Sequence, residues 1–326
     1  MAPDKDTWKH FVIVTGLVLF LIWIQLSCTP KGEMQKQTRF LMDTYCTVQV
    51  PGGLEVLDAI EAALDRMEVV DRRFNVLDSS NALYQFNHYS ETISDQEILS
   101  LIETALKVGD ESEGAFDITI YPLIERWGFF SETPSLPDKD EIKKFLEHIG
   151  SSNLTIKNGK LTKRDQKVQI DLGGIAKGYA IKEALKVLKE FQIESALIDA
   201  GGDIYALGKL NGKSWKIGVR NPRGEGVVGV LEVSDMAVVT SGDYERFFEA
   251  DGVKYHHLLD PKTGYPAEGL TSVTVISSDP VLADAWSTAL FIMGKEKGMP
   301  LSEKKGDLKI IMITTDGDIV SSSDII

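Results

Sequence analysis

Cysteine is scarce: the 326 residues contain two, Cys28 and Cys46, which excludes a disulfide-scaffolded fold. Positive charge is also short, with 35 Lys and Arg against 49 Asp and Glu and a net charge of −14. Nucleic-acid binding needs a positive surface that displaces counterions, so nucleic acid is excluded as a partner. A phosphate-bearing ligand would have to be held locally, by backbone N–H groups, a few basic side chains or a bound cation. There is no internal repeat and no low-complexity tract, and the chain has a single long apolar run. With 28 Gly, 11 Pro and 43% hydrophobic residues the composition is that of a globular chain, long enough for one large or two medium domains.

The apolar run extends from Phe11 to Leu26, behind Lys5, Lys9 and His10, with Thr15 and Gln25 its only clearly polar side chains. It reads as an export leader. Because it falls short of the roughly 20 residues that cross a bilayer comfortably, a cleaved leader and a short uncleaved anchor both fit. Leu26-Ser27-Cys28, followed by a polar stretch, resembles a bacterial lipoprotein processing site in which Cys28 carries the lipid, with Gln25 as a departure from the usual apolar residue. The expected organisation is a leader or anchor over 1–28, a tether over 29–38 and one globular domain over 39–326. That domain is expected outside the cytoplasm, in the bacterial periplasm or at the cell surface, held to the membrane by a lipid on Cys28 or by the N-terminal anchor. Cys46 is left alone in an apolar stretch and reads as a core residue.

Hydrophobic spacing predicts one strand over Arg39–Val50 and helices over Leu54–Phe74 and Gln96–Gly109, the latter capped by Ser94 or Asp95 and stopped by Gly109. Ser131–Asp140 reads as a surface loop before a short helix. From Leu154 onward short strands dominate: Leu154–Lys157, Val168–Ile170, Ser195–Asp199, Trp215–Val219, Val227–Val233 and Ala237–Thr240. Two helices interrupt them, at about Ile175–Phe191 and at Pro280–Met293, which Gly294 ends. Strands outnumber crossover helices, so the fold class expected is α+β with largely antiparallel sheets and packed helices.

Three segments carry candidate chemistry. Val168 to Tyr179 is a strand, a glycine turn and a helix start, which presents backbone groups to a phosphate or simply packs tightly. Asp171 there could fix a ribose or base edge or cap the helix; Lys177 could meet a phosphate or solvent. Asp284 and Thr288 lie four apart on one helix, so both oxygens can approach one hard cation such as Mg²⁺, which completes its shell with phosphates, waters and backbone carbonyls. His256 and His257 end a strand, and alternation sends their rings to opposite faces. That disfavours a paired-histidine zinc site and leaves one candidate acid/base histidine.

Together with Met42-Asp43-Thr44, Gly114 to Ile118, Ala200 to Asp203, Thr240 to Tyr244 and His257 to Pro261, these segments resemble the FAD:protein FMN transferase (ApbE) family, in family order and over nearly everything after the tether. The resemblance implies a T-fold-like single large catalytic domain that cleaves FAD with Mg²⁺. It further implies attachment of FMN by a phosphoester to a Thr or Ser of an acceptor flavoprotein, with release of AMP. It assigns Mg²⁺ to Asp284, Thr288 and the Gly174 carbonyl, with Ala176 the alternative. FAD contacts are assigned to Met42, Ala115, Phe116, Asp117, Asp171, Lys177 and Leu258. His257 is expected to be the base, oriented by Asp243 or Asp260. Some members carry an aromatic beside the flavin after the first helix; Leu77 stands there in this chain, and Tyr84 or Trp127 is the expected replacement. The rival expectations are an FAD pyrophosphatase using the same site and a non-catalytic FAD-binding lipoprotein.

Overall fold

A computed structural model describes residues 33–322 apart from 91 and 132, so the leader and Cys28 lie outside the described residues. The domain begins with a hairpin, β1 (Met34–Leu41) and β2 (Thr44–Pro51), where the sequence pattern suggested one continuous strand. Its two-residue turn is Met42-Asp43, with φ of 52° and 58°. A turn with both central residues left-handed matches the twist of a hairpin but is normally signalled by Asn-Gly or Asp-Gly. Neither pair is present, so the sequence hides the turn. β1 also starts inside the segment read as a tether.

Helix α1 (Leu57–Phe74) is followed by α2 (Ala82–His88), a short β3 (Thr92–Ile93) and α3 (Gln96–Glu111). The Asp95 carboxylate caps α3 by accepting from the N–H groups of Glu97 and Ile98. Gly109 does not stop this helix: a Cβ there would lie 2.8 Å from the Phe116 carbonyl, so the glycine serves close packing. Next come α4 (Tyr121–Trp127), α5 (Lys139–Leu146) and the hairpin β4 (Leu154–Lys157) and β5 (Lys160–Lys163). The strand expected at Val168–Ile170 does not form, and this segment joins no sheet among the described residues. The Asn87 side chain stands in for a strand there, donating to Ile170 O and accepting from Ile170 N, both at 2.8 Å.

Helix α6 (Gly173–Glu190) leads into β6 (Ala196–Ala200), β7 (Asp203–Leu207), β8 (Trp215–Arg220), β9 (Val227–Val233) and β10 (Met236–Gly242). After them stand β11 (Phe247–Ala250), β12 (Val253–His256), β13 (Leu270–Ser277), α7 (Pro280–Lys305), β14 (Lys309–Thr314) and β15 (Ile319–Ser321). Gly294, at φ 73° and ψ 173°, breaks α7 where the sequence ends it, and a second helical stretch follows.

Eight strands form one sheet in the order β1-β2-β6-β7-β10-β13-β14-β15, and every neighbouring pair is antiparallel. Alternation decides its two faces. Val239, Val275, Ile310 and Met312 join the main core beneath α1, α6 and α7, while Val238, Ile276 and Ile311 lie under the β8–β9 hairpin on the opposite side. Cys46 is wholly buried in the main core. A satellite cluster of Leu123, Trp127, Ile142 and Leu259 ties α4 and α5 to the segment after β12. The α+β expectation holds. Among the described residues no helix is long and apolar enough to cross a membrane.

Candidate active site

The crossing of α6 and α7 builds one wall. At Gly178 an added Cβ would sit 2.2 Å from Pro280 O and 2.8 Å from Asp284 Cβ, so no larger residue allows the helices this close. A glycine inside a helix costs about 1 kcal/mol relative to alanine, and the approach it permits offsets that. Gly178 N–H then donates to Asp284 Oδ2 at 2.8 Å. In a regular helix this donor would serve the carbonyl of Gly174. A carbonyl oxygen has two lone pairs, so the Gly174 oxygen can serve its helix and still meet another partner. Gly174 also adjoins Thr288: a Cβ on it would lie 3.6 Å from Thr288 Oγ1 and 3.1 Å from the Phe116 ring.

Thr288 Oγ1 lies 3.2 Å from Ser241 Oγ, which is 2.7 Å from Ser287 Oγ, and Ser287 donates to Asp284 O at 2.8 Å. Lys177 pairs with Asp203, which is almost wholly buried. Burial opposes a charged lysine, but Asp203, Asp284 and Glu245 hold its ammonium above the ordinary lysine range. Burial, followed by the Asp203 charge, pushes the Asp284 carboxyl well above the usual carboxylate range. This is a buried group of carboxylates with too little positive charge nearby, whose ionised form a cation would favour.

The opposite wall comes from loops. His256 and His257 do part: His256 is buried, its Nε2 2.9 Å from Ala267 O, while His257 lines the cavity. His257 Nδ1 lies 3.2 Å from Arg246 O. A carbonyl can only accept, so Nδ1 carries the proton and Nε2 keeps a free lone pair. Burial first and the Arg246 charge second push this imidazole down to about 3, well below a free histidine. It is therefore neutral throughout the physiological range.

Neither carboxylate expected to orient His257 does so. Asp243 is taken by Arg223, at 2.9 and 2.5 Å, and by Lys254 at 3.2 Å; Asp260 accepts from Lys262 N at 2.8 Å. The orienting group is the Arg246 carbonyl.

Both walls enclose a cavity of about 500 Å³, within the range of small-molecule sites. The residues assigned from the sequence to FAD, the cation and the base all line it: Met42, Ala115, Phe116, Asp117, Asp171, Gly174, Lys177, His257, Leu258, Asp284 and Thr288. Asp171 accepts from Gly173 N at 3.1 Å and so turns the chain into α6, while Asp117 accepts from Thr119 N at 2.8 Å. Asp71 accepts from Met42 N–H and secures the β1–β2 turn. The expected aromatic replacements do not reach the cavity. Trp127 is fully buried, donating to Gly264 O at 2.9 Å, and Tyr84 groups with His88 and Tyr89. The rings lining the cavity are Phe40, Phe74, Phe116, Phe129 and Phe130. Arg246, Glu245 and Phe129 escaped the sequence reading; the only signal was that the first two directly follow the Thr240 to Tyr244 motif.

Among the described residues no three His, Cys, Asp or Glu side chains gather in a metal-binding cluster. A cation here would therefore rest on one carboxylate plus hydroxyl and carbonyl oxygens, the donor set that suits Mg²⁺ beside phosphates. Asp284, Thr288 and Gly174 meet that description.

The profile of the ApbE family matches residues 42–312 of the chain. The FAD:protein FMN transferase of Klebsiella pneumoniae (strain 342) is 34% identical over 273 residues, 82% of this chain and 84% of that protein. That of Treponema pallidum (strain Nichols) is 31% identical over 327 residues, 92% of this chain and 90% of its own length. The crystal structure of the ApbE protein from Thermotoga maritima superposes with a TM-score of 0.84 at 35% identity, covering 89% of this chain and 97% of that one. The flavin transferase ApbE of Vibrio cholerae does so with a TM-score of 0.81 at 30% identity, covering 90% and 98%.

Proposed function

The chain belongs to the ApbE family, and from that premise we propose that it is a Mg²⁺-dependent FAD:protein FMN transferase. It takes FAD, joins FMN to a Thr or Ser hydroxyl of an acceptor flavoprotein, and releases AMP. The observation that carries this reading is the convergence of residues from five separated segments on one cavity, between Met42 and Thr288. Bound against Asp284, Thr288 and the Gly174 carbonyl, Mg²⁺ would supply positive charge to phosphate oxygens that gain negative charge in the reaction.

The chain's own residues do the rest. In the first turn of helix α6 Asp171 takes the Gly173 N–H and the Leu172 carbonyl takes those of Ile175 and Ala176, which leaves the Gly174 N–H for the pyrophosphate. Lys177, kept charged by its carboxylate neighbours, adds a fixed cation on the same wall. The acceptor hydroxyl oxygen forms a bond to the FMN phosphorus, and the bond from that phosphorus to the bridging oxygen breaks, its electron pair leaving with AMP. The hydroxyl proton goes to His257 Nε2, the free nitrogen of a ring whose Nδ1–H is held by Arg246 O. A neutral imidazole needs no prior deprotonation for this.

We also propose that the enzyme works outside the cytoplasm, tethered by a lipid on Cys28 or by an N-terminal anchor, a reading supported by the apolar run from Phe11 to Leu26. The test is to mix the purified protein with FAD, Mg²⁺ and a candidate acceptor flavoprotein. A covalent flavin on the acceptor with equimolar AMP is expected. FMN and AMP released without any adduct would make the protein a pyrophosphatase, and FAD binding with no AMP would make it a binding protein.

A further inference from the structure

Two cationic side chains line the cavity, Lys177 and Arg246, against six carboxylates. Lys177 is tied to the buried Asp203, whereas among the described residues the Arg246 guanidinium pairs with the exposed Asp43. Its Nη2 lies 3.2 Å from Asp43 Oδ2, with the two side chains 39% and 68% exposed. An ion pair this open to water is worth little and exchanges readily. The main chain of Arg246 is, by contrast, fixed: its carbonyl accepts from His257 N at 3.0 Å and from the His257 ring. The side-chain charge is felt by both His257 and Asp171, which lie on different walls of the cavity. An exposed guanidinium on a hydrogen-bonded main chain thus lines the same cavity as the base and the glycine turn.

We propose that Arg246 is a phosphate-binding residue whose guanidinium leaves Asp43 to clamp phosphoryl oxygens of the FAD pyrophosphate. This rests on the FAD reading above. The planar fork of arginine matches two phosphate oxygens at once, which an ammonium cannot do. A pyrophosphate beside six carboxylates needs more positive charge than one paired lysine supplies. Asp43 holds the guanidinium at the rim of the cavity through a bond that is easily exchanged, and the β1–β2 turn that carries it also carries Met42.

The experiment is equilibrium binding of FAD and, separately, of riboflavin, which has the ring system but no phosphate, in the presence of Mg²⁺. Arg246→Gln should raise the Kd for FAD about ten- to a hundredfold, the size expected for a lost charge-assisted pair, and leave riboflavin binding unchanged. Arg246→Lys should recover part of the loss. Asp43→Asn should bind FAD at least as tightly as the parent. If Arg246→Gln binds FAD like the parent, or loses FAD and riboflavin alike, the phosphate role is wrong. Weaker FAD binding by Asp43→Asn would overturn the exchange step. A parent protein that binds no FAD would overturn the FAD reading itself and this inference with it, an outcome distinct from a parent that binds while Arg246→Gln does so equally well.

Discussion

The α6–α7 wall of the cavity and the wall formed by residues 245–258 hold different chemistry on different kinds of structure. The first is a helix crossing. Gly178 brings two backbones together, and Asp284, Thr288 and Gly174 are held by the periodicity of the helices themselves. The second is a turn and hairpin end, where His257 is aimed by a main-chain carbonyl eleven residues back at Arg246. The groups proposed to meet a cation sit on the helix wall; the proposed proton acceptor and the Arg246 guanidinium sit on the loop wall. Removing a group from the first should therefore weaken binding of cation and phosphates, and removing one from the second should slow proton transfer or loosen one contact.

The largest effect is expected from Asp284→Ala. It removes the one carboxylate assigned to the cation and the acceptor of the Gly178 N–H, and flavin transfer should fall by about 10³-fold or more. Transfer that persists near the parent rate at limiting Mg²⁺ would dissociate Asp284 from the cation.

His257→Ala should cost about 10² to 10⁴ in transfer rate at saturating FAD. His256→Ala is the control from the same strand end. That ring is buried and bonded to Ala267 O, so its loss should appear as roughly 1–3 kcal/mol of stability in a denaturation curve, with the transfer rate little changed. Equal small losses of rate in both variants would remove histidine from the reaction.

The pH profile offers a third comparison. A free imidazole would impose an acid limb near its ordinary value of about 6.5, but His257 is pushed down to about 3 and so stays neutral well below that. Asp284 moves the opposite way, its carboxyl raised by burial. Protons then compete with the cation for Asp284, so affinity for Mg²⁺ should rise with pH through neutrality. The acid limb of transfer should accordingly shift to lower pH as Mg²⁺ is raised. A limb near 6.5 that ignores Mg²⁺ concentration would return it to His257.

The smallest effect is expected from Thr288→Val, which replaces one hydroxyl ligand and leaves the carboxylate. The Mg²⁺ needed for half-maximal rate should rise about fivefold, equivalent to ~1 kcal/mol, while the rate at saturating Mg²⁺ changes less.

How far these walls could be read from sequence follows from how each is built. Helix spacing alone puts Asp284 and Thr288 on one face, as both line the cavity; His256 and His257 part as alternation predicts, although β12 ends at His256 and His257 lies just beyond it. What spacing cannot convey is a contact between distant segments. The Gly178–Asp284 bond, the Asn87 side chain standing in for a strand beside Ile170, and the Arg246 carbonyl beneath His257 all join residues whose partners are set by packing. The Met42-Asp43 turn was hidden for another reason, since its left-handed residues are not those that usually announce it. The expected flavin-side aromatics failed in the same way: Trp127 fits an aromatic role by residue type, yet its indole is claimed by Gly264 and the satellite core, and Phe129 next to it lines the cavity instead.

The division between the two walls is tested most directly by measuring the Kd for FAD as a function of Mg²⁺ in Asp284→Ala and His257→Ala side by side. The expected result is that Asp284→Ala loses the Mg²⁺-dependent part of FAD affinity, while His257→Ala binds FAD like the parent at every Mg²⁺ concentration despite its loss of transfer. Loss of Mg²⁺-dependent affinity in His257→Ala, or its retention in Asp284→Ala, would contradict the account.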